Sequence, residues 1–195
     1  MRINALEIKN FRKFKSQFFG FHPQFNVLIG DNAKGKTQLL DAISIIWCVY
    51  QSKLLCESQR GIKTEEVRVE ERSVSDKGGN VQNRRASCYP VEIRACLTYD
   101  DKNFEQSCVK TEKGRTTFGK DLAFAQRAKK DYESIASGKS IDLPFLGYYG
   151  VGRLAPILKH SGDPESVEYT TDGYVDSLDP RNESKRFKVG SNDVN

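Results

Sequence analysis

Apolar residues recur along the chain at two different periods, and the switches between them mark its elements. Ile3, Leu6 and Ile8 open in a strand-like stretch. Phe11, Phe14, Phe18, Phe19 and Phe21 follow, and aromatics so spaced are expected to fill the core of a hairpin. Beyond Pro23, Phe25, Val27, Leu28 and Ile29 make a short apolar run, the pattern of a buried strand. The period then lengthens. Leu39, Leu40, Ile43, Ile46 and Trp47, continued by Val49, Leu54 and Leu55, predict a helix from Gly35 to about Glu57. From Ser58 to Ala86 the periodicity is lost among Glu, Arg, Ser and Gly, and Asp76-Lys77-Gly78-Gly79-Asn80 is a strong turn signal. A surface hairpin or loop is expected there, with Glu65, Glu66, Arg68, Glu70, Glu71 and Arg72 as a solvated face and Arg84 and Arg85 able to touch a phosphate backbone.

Period two returns at Tyr89–Tyr99, where Val91, Ile93, Ala95 and Leu97 alternate with Glu92, Arg94, Cys96 and Thr98. A second strand is expected around Phe104–Val109, then a turn at Lys113-Gly114-Arg115. Asp121 to about Ala136 reads as a helix, with Leu122, Ala125, Ala128, Tyr132 and Ile135 on one side. Ser137-Gly138-Lys139 ends it. Leu143 to Gly150 then reads as a buried strand running into a glycine turn.

Between the apolar run and the first helix lies Gly30-Asp31-Asn32-Ala33-Lys34-Gly35-Lys36-Thr37, a full match to G-x-x-x-x-G-K-[ST]. Strand before and helix after are the context in which that pattern cradles phosphate. The first N–H groups of the helix have no partners within it, and the helix dipole is positive there. Gly30 and Gly35 let the backbone fold around an anion. Lys36 can reach the outer phosphates of ATP, the Thr37 hydroxyl can hold Mg2+, and Asp31, Asn32, Ala33, Lys34 and Gln38 complete the candidate cofactor-binding set. No catalytic residue is assigned.

The sequence from Ile3 to Ile43 carries a resemblance. I-x-x-L-x-I, then NFRKF, then FNVLIGDNAKGKTQLLDAI, resembles the start of an SMC/RecF-like ATPase, one of the ABC-type ATPases of DNA repair, chromosome maintenance and phage defence. Many members have a glycine where this chain has Ala33. LPFLGYYGVGRL, ending at Leu154, and DGYVDSLDPRNESKRF are similar to the ATPase subunits of retron- and Septu-type anti-phage systems. The resemblance implies an α/β fold, a P-loop NTPase of the ABC-type ATPase head, N-terminal lobe, with an attached antiparallel β-sheet. It implies one lobe over 1–195, made of a nucleotide-binding part (1–57), a β-rich part (58–118) and a helix, core strand and polar tail (119–195). It implies that Arg12, the Arg of N-F-R, lies near the nucleotide; a surface Arg beside a core Phe is the other reading. Arg153 has the same two readings, nucleotide or partner contact against a surface turn.

A motor of this class also needs a Walker B acid pair, a signature helix headed by Ser-Gly and a His near the γ-phosphate. None is recognisable. Leu97-Thr98-Tyr99-Asp100-Asp101 could be taken for Walker B, but that strand carries Glu92 and Arg94 on one face, whereas Walker B strands are apolar throughout, which favours an Asp-Asp turn. The expectation is therefore the N-terminal half of a larger ATPase. Complete, it would form a homodimer through ATP-bound heads, work with a nuclease partner and contact DNA or RNA. The alternatives are a self-contained P-loop kinase of a small substrate and a truncated module that binds nucleotide without hydrolysis.

Bulk composition constrains less. The 31 basic and 26 acidic side chains leave +5, which permits nucleic acid but does not demand it. Cys48, Cys56, Cys88, Cys96 and Cys108 are odd in number and form no CxxC pair, so reduced thiols in a cytoplasmic protein are expected. MRINALEIKN lacks a signal-peptide core, and no run is long enough to span a bilayer, so no membrane partner is expected.

Overall fold

A computed structural model describes residues 1–56, 58–75, 81–119, 122–148 and 178. The chain divides into two compact units: Met1–Ile46 with Arg60–Phe124, and Trp47–Gln59 with Ala125–Asn195.

The first unit is built on an antiparallel sheet. Its strands are β1 (Arg2–Phe11), β2 (Phe14–Gly20), β5 (Val91–Tyr99), β6 (Lys102–Lys110) and β7 (Thr117–Phe118), in the order β2-β1-β5-β6-β7. β3 (Val69–Ser75) and β4 (Val81–Ser87) form a separate two-stranded ribbon. The alternation predicted for β5 holds: Val91, Ile93, Ala95 and Leu97 are buried, while Arg94 and Cys96 are exposed. Leu6 and Ile8 of β1 and Phe104 and Cys108 of β6 are buried as well. These side chains recur at every second residue, so one face of the sheet is apolar. Phe104 meets Phe124 with ring centroids 5.8 Å apart.

β5 passes into β6 through Asp100-Asp101, both with positive φ (+52° and +55°), the backbone of a tight two-residue hairpin turn. Tyr99 pairs with Lys102 across it. The acids after Leu97 are thus turn residues of an antiparallel hairpin.

Helix α1 (Lys36–Leu54) supplies Lys36–Ile46 to the first unit and Trp47–Leu54 to the second. Leu39, Ala42, Ile45, Ile46, Trp47, Val49, Tyr50 and Leu54 are all buried, and so are Asp41, Ser44, Gln51 and Ser52. The helix is enclosed on most of its circumference. It ends three residues before the predicted Glu57, where Cys56 takes a positive φ of 55°. Helix α2 (Ala123–Ala136), part of the second unit from Ala125 on, presents Asp131, 4% exposed. The Tyr50 hydroxyl donates to Asp131 Oδ2 at 2.7 Å and Arg127 Nε donates to Oδ1 at 3.0 Å. A carboxylate buried so deeply stays tolerable because both oxygens are satisfied.

Four expectations change. Phe25–Ile29 is not in a strand, and its apolar side chains are exposed: Phe25 76%, Val27 64%, Ile29 92%. Both edges of β1 are taken by β2 and β5, and the side chain of Asn26 closes a local turn instead. It accepts from His22 N at 2.7 Å and donates to His22 O at 2.8 Å. Leu143–Tyr148 is likewise no strand. Pro144 lacks a ladder donor and Phe145 is 87% exposed. Phe18 is exposed on the outer face of β2, although Phe11 is fully buried. Glu66, expected on a solvated face, is 1% exposed. Tyr149, Gly150, Arg153 and the DGYVDSLDPRNESKRF segment, Leu178 excepted, lie outside the described residues.

Candidate functional site

The loop from Gly30 to Gly35 leads directly into the N-terminus of α1. Its backbone repeatedly takes conformations that side chains resist: φ is +157° at Gly30, +64° at Ala33 and +104° at Gly35. Lys34 N donates to Asp31 O at 3.3 Å, closing the turn, and Leu39 N donates to Gly35 O at 2.9 Å, starting the helix. Gly35 is buried. A Cβ there would lie 2.8 Å from Lys13 Cδ and 3.0 Å from Phe14 Cζ. The turn between β1 and β2 therefore presses against the helix start, and only glycine fits between them.

The first turn of α1 carries no acidic side chain. Its N–H groups and the positive end of the dipole face outward without a built-in counter-anion. Lysines surround the loop. Lys36 Nζ donates to the carbonyls of Gly30 and, at 2.8 Å, of Asp31. Lys13 Nζ donates to the carbonyl of Ala33, and Lys13 N donates to Gln38 Oε1 at 3.3 Å. Asp31, Asn32, Ala33, Lys34 and Thr37 are exposed; Lys36 and Gln38 are half-buried. Two ammonium groups held against loop carbonyls, a glycine that tolerates no side chain and unpaired helix N–H groups fit a polyphosphate. The exposed Thr37 hydroxyl in the first turn fits a cation held alongside it.

Arg12 sits in the β1–β2 turn with φ +48°. Its Nη2 lies 3.1 Å from Asp41 Oδ2 on α1 and 3.0 Å from Glu66 Oε1. Glu66, at the end of a short 3-10 turn (Thr64–Glu66), is shared. Arg60 Nη2 donates to the same Oε1 at 2.8 Å, and Lys63 N donates to Oε2 at 2.9 Å. Arg60 Nη1 reaches back to Ser44 Oγ on α1 at 2.8 Å. The backbone joins in, with Arg12 N donating to Glu66 O at 2.7 Å. One buried carboxylate thus ties the β1–β2 turn and the 60s loop to the second and third turns of the helix behind the phosphate loop. Arg12 Nε is the single buried side-chain nitrogen or oxygen without a hydrogen-bond partner among the described residues.

The structure therefore brings together the predicted loop residues Gly30 to Gln38. It places Arg12 in an ion-pair network one turn along the same helix. Lys13, Glu66 and Arg60 were missed by sequence reasoning. Lys13 had a signal, since it lies in NFRKF beside Arg12. Glu66 had none, because a Glu inside TEEVRVEER looks like its solvated neighbours. A separate cavity of about 450 Å³ opens on the outer face of the sheet, lined by residues including Glu7, Phe18, Arg94, Cys96 and Glu105. No residue of the phosphate loop lines it. All five cysteines are free thiols, and no cluster of three or more metal-binding side chains occurs among the described residues. No helix among them is long and apolar enough to cross a membrane.

A family model described as an AAA ATPase domain matches residues 1–149. The DNA replication and repair protein RecF of Oenococcus oeni is 37% identical over 98 residues, 50% of this chain and 24% of that protein. RecF of Lactococcus lactis subsp. lactis is 44% identical over 46 residues, 24% of this chain and 13% of its own. The chain spans about a quarter or less of the length of these relatives. A solved chain from work on ATP-driven dimerization and DNA-stimulated activation of SMC ATPases is 16% identical, with a TM-score of 0.43 over 66% of this chain and 79% of that one. At that score the likeness carries no weight beside the family match. This chain belongs to the AAA ATPase domain family.

Proposed function

We propose that residues Gly30–Gln38 bind ATP with Mg2+, as the nucleotide-binding part of a cytoplasmic ATPase that couples nucleotide binding to the pairing of two heads on DNA. The observation that carries this is the junction at Gly35. A left-handed, buried glycine is pinned by the β1–β2 turn at the start of an enclosed helix whose first turn has no acid. Bound there, ATP supplies the phosphoryl group and Mg2+ the neutralising charge. The chain supplies positioning. Lys36 and Lys13 exchange carbonyl partners for phosphate oxygens, and the N–H groups of Lys36 and Thr37 donate to the anion. Thr37 Oγ1 offers a ligand to the cation. Arg12, held by Asp41 and Glu66, keeps the β1–β2 turn against the loop, with Nε left to donate. In a complete ATPase of this class the output is DNA repair, or anti-phage defence with a nuclease partner.

A second reading is a module that holds nucleotide weakly and does not turn it over. The exposed Phe25–Ile29 favours it for this chain alone, because the segment that leads into the loop pairs with no strand among the described residues. Calorimetric titration with ATP-Mg2+ tests both readings. The wild type should bind and Lys36→Ala should weaken binding at least about tenfold, the loss of one charge-assisted contact of roughly 1.5–3 kcal/mol. Equal affinity in the two proteins would remove the phosphate-loop assignment. Turnover well above background by the wild-type chain would remove the second reading.

A further inference from the structure

The β3–β4 ribbon has two unequal faces. Register places Arg72 directly opposite Arg84, Glu70 opposite Ala86, and Glu71 opposite Arg85. Residues two apart share a face. One face is balanced: Glu71 pairs with Arg85 at 3.9 Å, and Ser73 Oγ hydrogen-bonds Asn83 Oδ1 at 2.8 Å. The other is not. Arg72 and Arg84 are both exposed, and neither makes an ion pair among the described residues. Like charges directly opposite across an antiparallel pair are destabilising, so nothing internal to the ribbon favours this arrangement.

The same face continues past the strand. Cys88 N donates to Arg68 O at 2.8 Å, so Arg68 extends the row Arg68, Glu70, Arg72. Arg68 Nε lies 3.1 Å from Glu70 Oε1, and Lys15 Nζ lies 3.9 Å from the same oxygen. Glu70 is thus the single carboxylate among four cations: Lys15, Arg68, Arg72 and Arg84. Its carboxyl is held below the usual carboxylate range, first by the Arg68 hydrogen bond and then by the charge of Lys15. From Arg68 to Arg72 the row spans about 13 Å, four residues of extended strand.

We propose that this face, Arg72 and Arg84 with Arg68 and Lys15 at its base, is a contact surface for a nucleic-acid phosphate backbone. Nucleic acid is favoured over an acidic protein because Ala86 is the one apolar side chain described on the face, whereas protein interfaces have an apolar core. The exposed cations Lys15, Arg72 and Arg84 beside the half-buried Arg68, with Ala86 the one apolar side chain among those described on the face, match binding by counterion release. The inference rests on the reading that this ATPase acts on nucleic acid, and it names the surface.

The test is fluorescence anisotropy of the 195-residue chain against a labelled duplex DNA, between about 50 and 200 mM salt. The double variant Arg72→Glu/Arg84→Glu should bind about tenfold or more weakly, with the slope of log K against log salt shallower by about 2. Its thermal midpoint and its ATP-Mg2+ affinity should match the wild type. DNA binding by the wild type that survives unchanged in the double variant would overturn the surface and leave the nucleic-acid reading standing. No DNA binding by the wild type, or binding of polyglutamate or anionic vesicles in preference to DNA, would overturn both. Loss of ATP binding in Lys36→Ala with DNA binding intact would show the two surfaces to be separate, as proposed.

Discussion

Two neighbouring residues in the phosphate loop take left-handed backbone, and they predict opposite outcomes. Gly35, at φ +104°, has no room for a methyl: Lys13 Cδ and Phe14 Cζ stand 2.8 and 3.0 Å from where Cβ would be. Gly35→Ala combines backbone strain with a clash against a ring that meets Phe19 edge-on at 5.6 Å. It should lower stability by about 1–3 kcal/mol, read as a fall in the urea midpoint at unchanged slope. Ala33 occupies φ +64° with a side chain, an arrangement that costs about 1–2 kcal/mol relative to glycine. Ala33→Gly should therefore raise the midpoint, by about 0.5–1 kcal/mol once the greater freedom of an unfolded glycine is set against the relief. A midpoint that falls in Ala33→Gly would show that this loop conformation is not the one populated in solution. The motif announced both glycines, but nothing in the sequence announced that position 33 takes left-handed backbone with a side chain attached.

At the scale of elements, the charged network behind the loop is the part that sequence reasoning could not reach. Strands β5 and β6 were legible because alternation reports a half-buried sheet directly, and Asp100-Asp101 was legible as a turn because its flanking strand carries charge on one face. Helix α1 was legible to within three residues because its apolar period is long and uninterrupted. Glu66 was not, since burial of a carboxylate depends on where Arg12 and Arg60 arrive, 54 and 6 residues away in sequence. The strand before the phosphate loop failed for the complementary reason. An apolar run states that a segment wants covering, not that a sheet edge is available to cover it. The network has a measurable consequence. Glu66→Ala leaves two guanidinium groups, 33% and 29% exposed, short of their shared carboxylate. Their partial solvation keeps the cost near the lower end of that for a broken buried pair, about 3 kcal/mol. A double-mutant cycle between Arg12→Ala and Glu66→Ala should return a coupling of about 1–3 kcal/mol by chemical denaturation. A coupling near zero would mean that the β1–β2 turn is held by backbone bonds alone, through Arg12 N to Glu66 O and Arg68 N to Asn10 O.

At the scale of the whole molecule, the exposed segment ahead of the loop governs how the chain behaves in solution. Phe25, Val27, Leu28 and Ile29 sit within five residues, all at least 36% exposed, on backbone that pairs with no strand among the described residues. Such a segment is apolar on both sides, the composition of a strand buried in a parallel sheet rather than at an edge. Left uncovered, it is a template for association, because unpaired strand backbone with apolar side chains recruits other chains. The net charge of +5 opposes this only weakly at physiological salt, where repulsion between separated charges is screened over about 8 Å. The isolated chain should therefore bind a hydrophobic dye such as ANS and should self-associate in a concentration-dependent way by light scattering. Val27→Lys/Ile29→Lys should suppress both while changing unfolding free energy by no more than about 0.5 kcal/mol, the usual range for surface substitutions. Phe11→Ala, which empties a fully buried site in the sheet, should do the reverse and cost about 3–5 kcal/mol. The contrast separates a segment that awaits a covering partner from one that already belongs to the core. If the double lysine variant unfolds as Phe11→Ala does, Phe25–Ile29 is packed in solution and its sheet is already present.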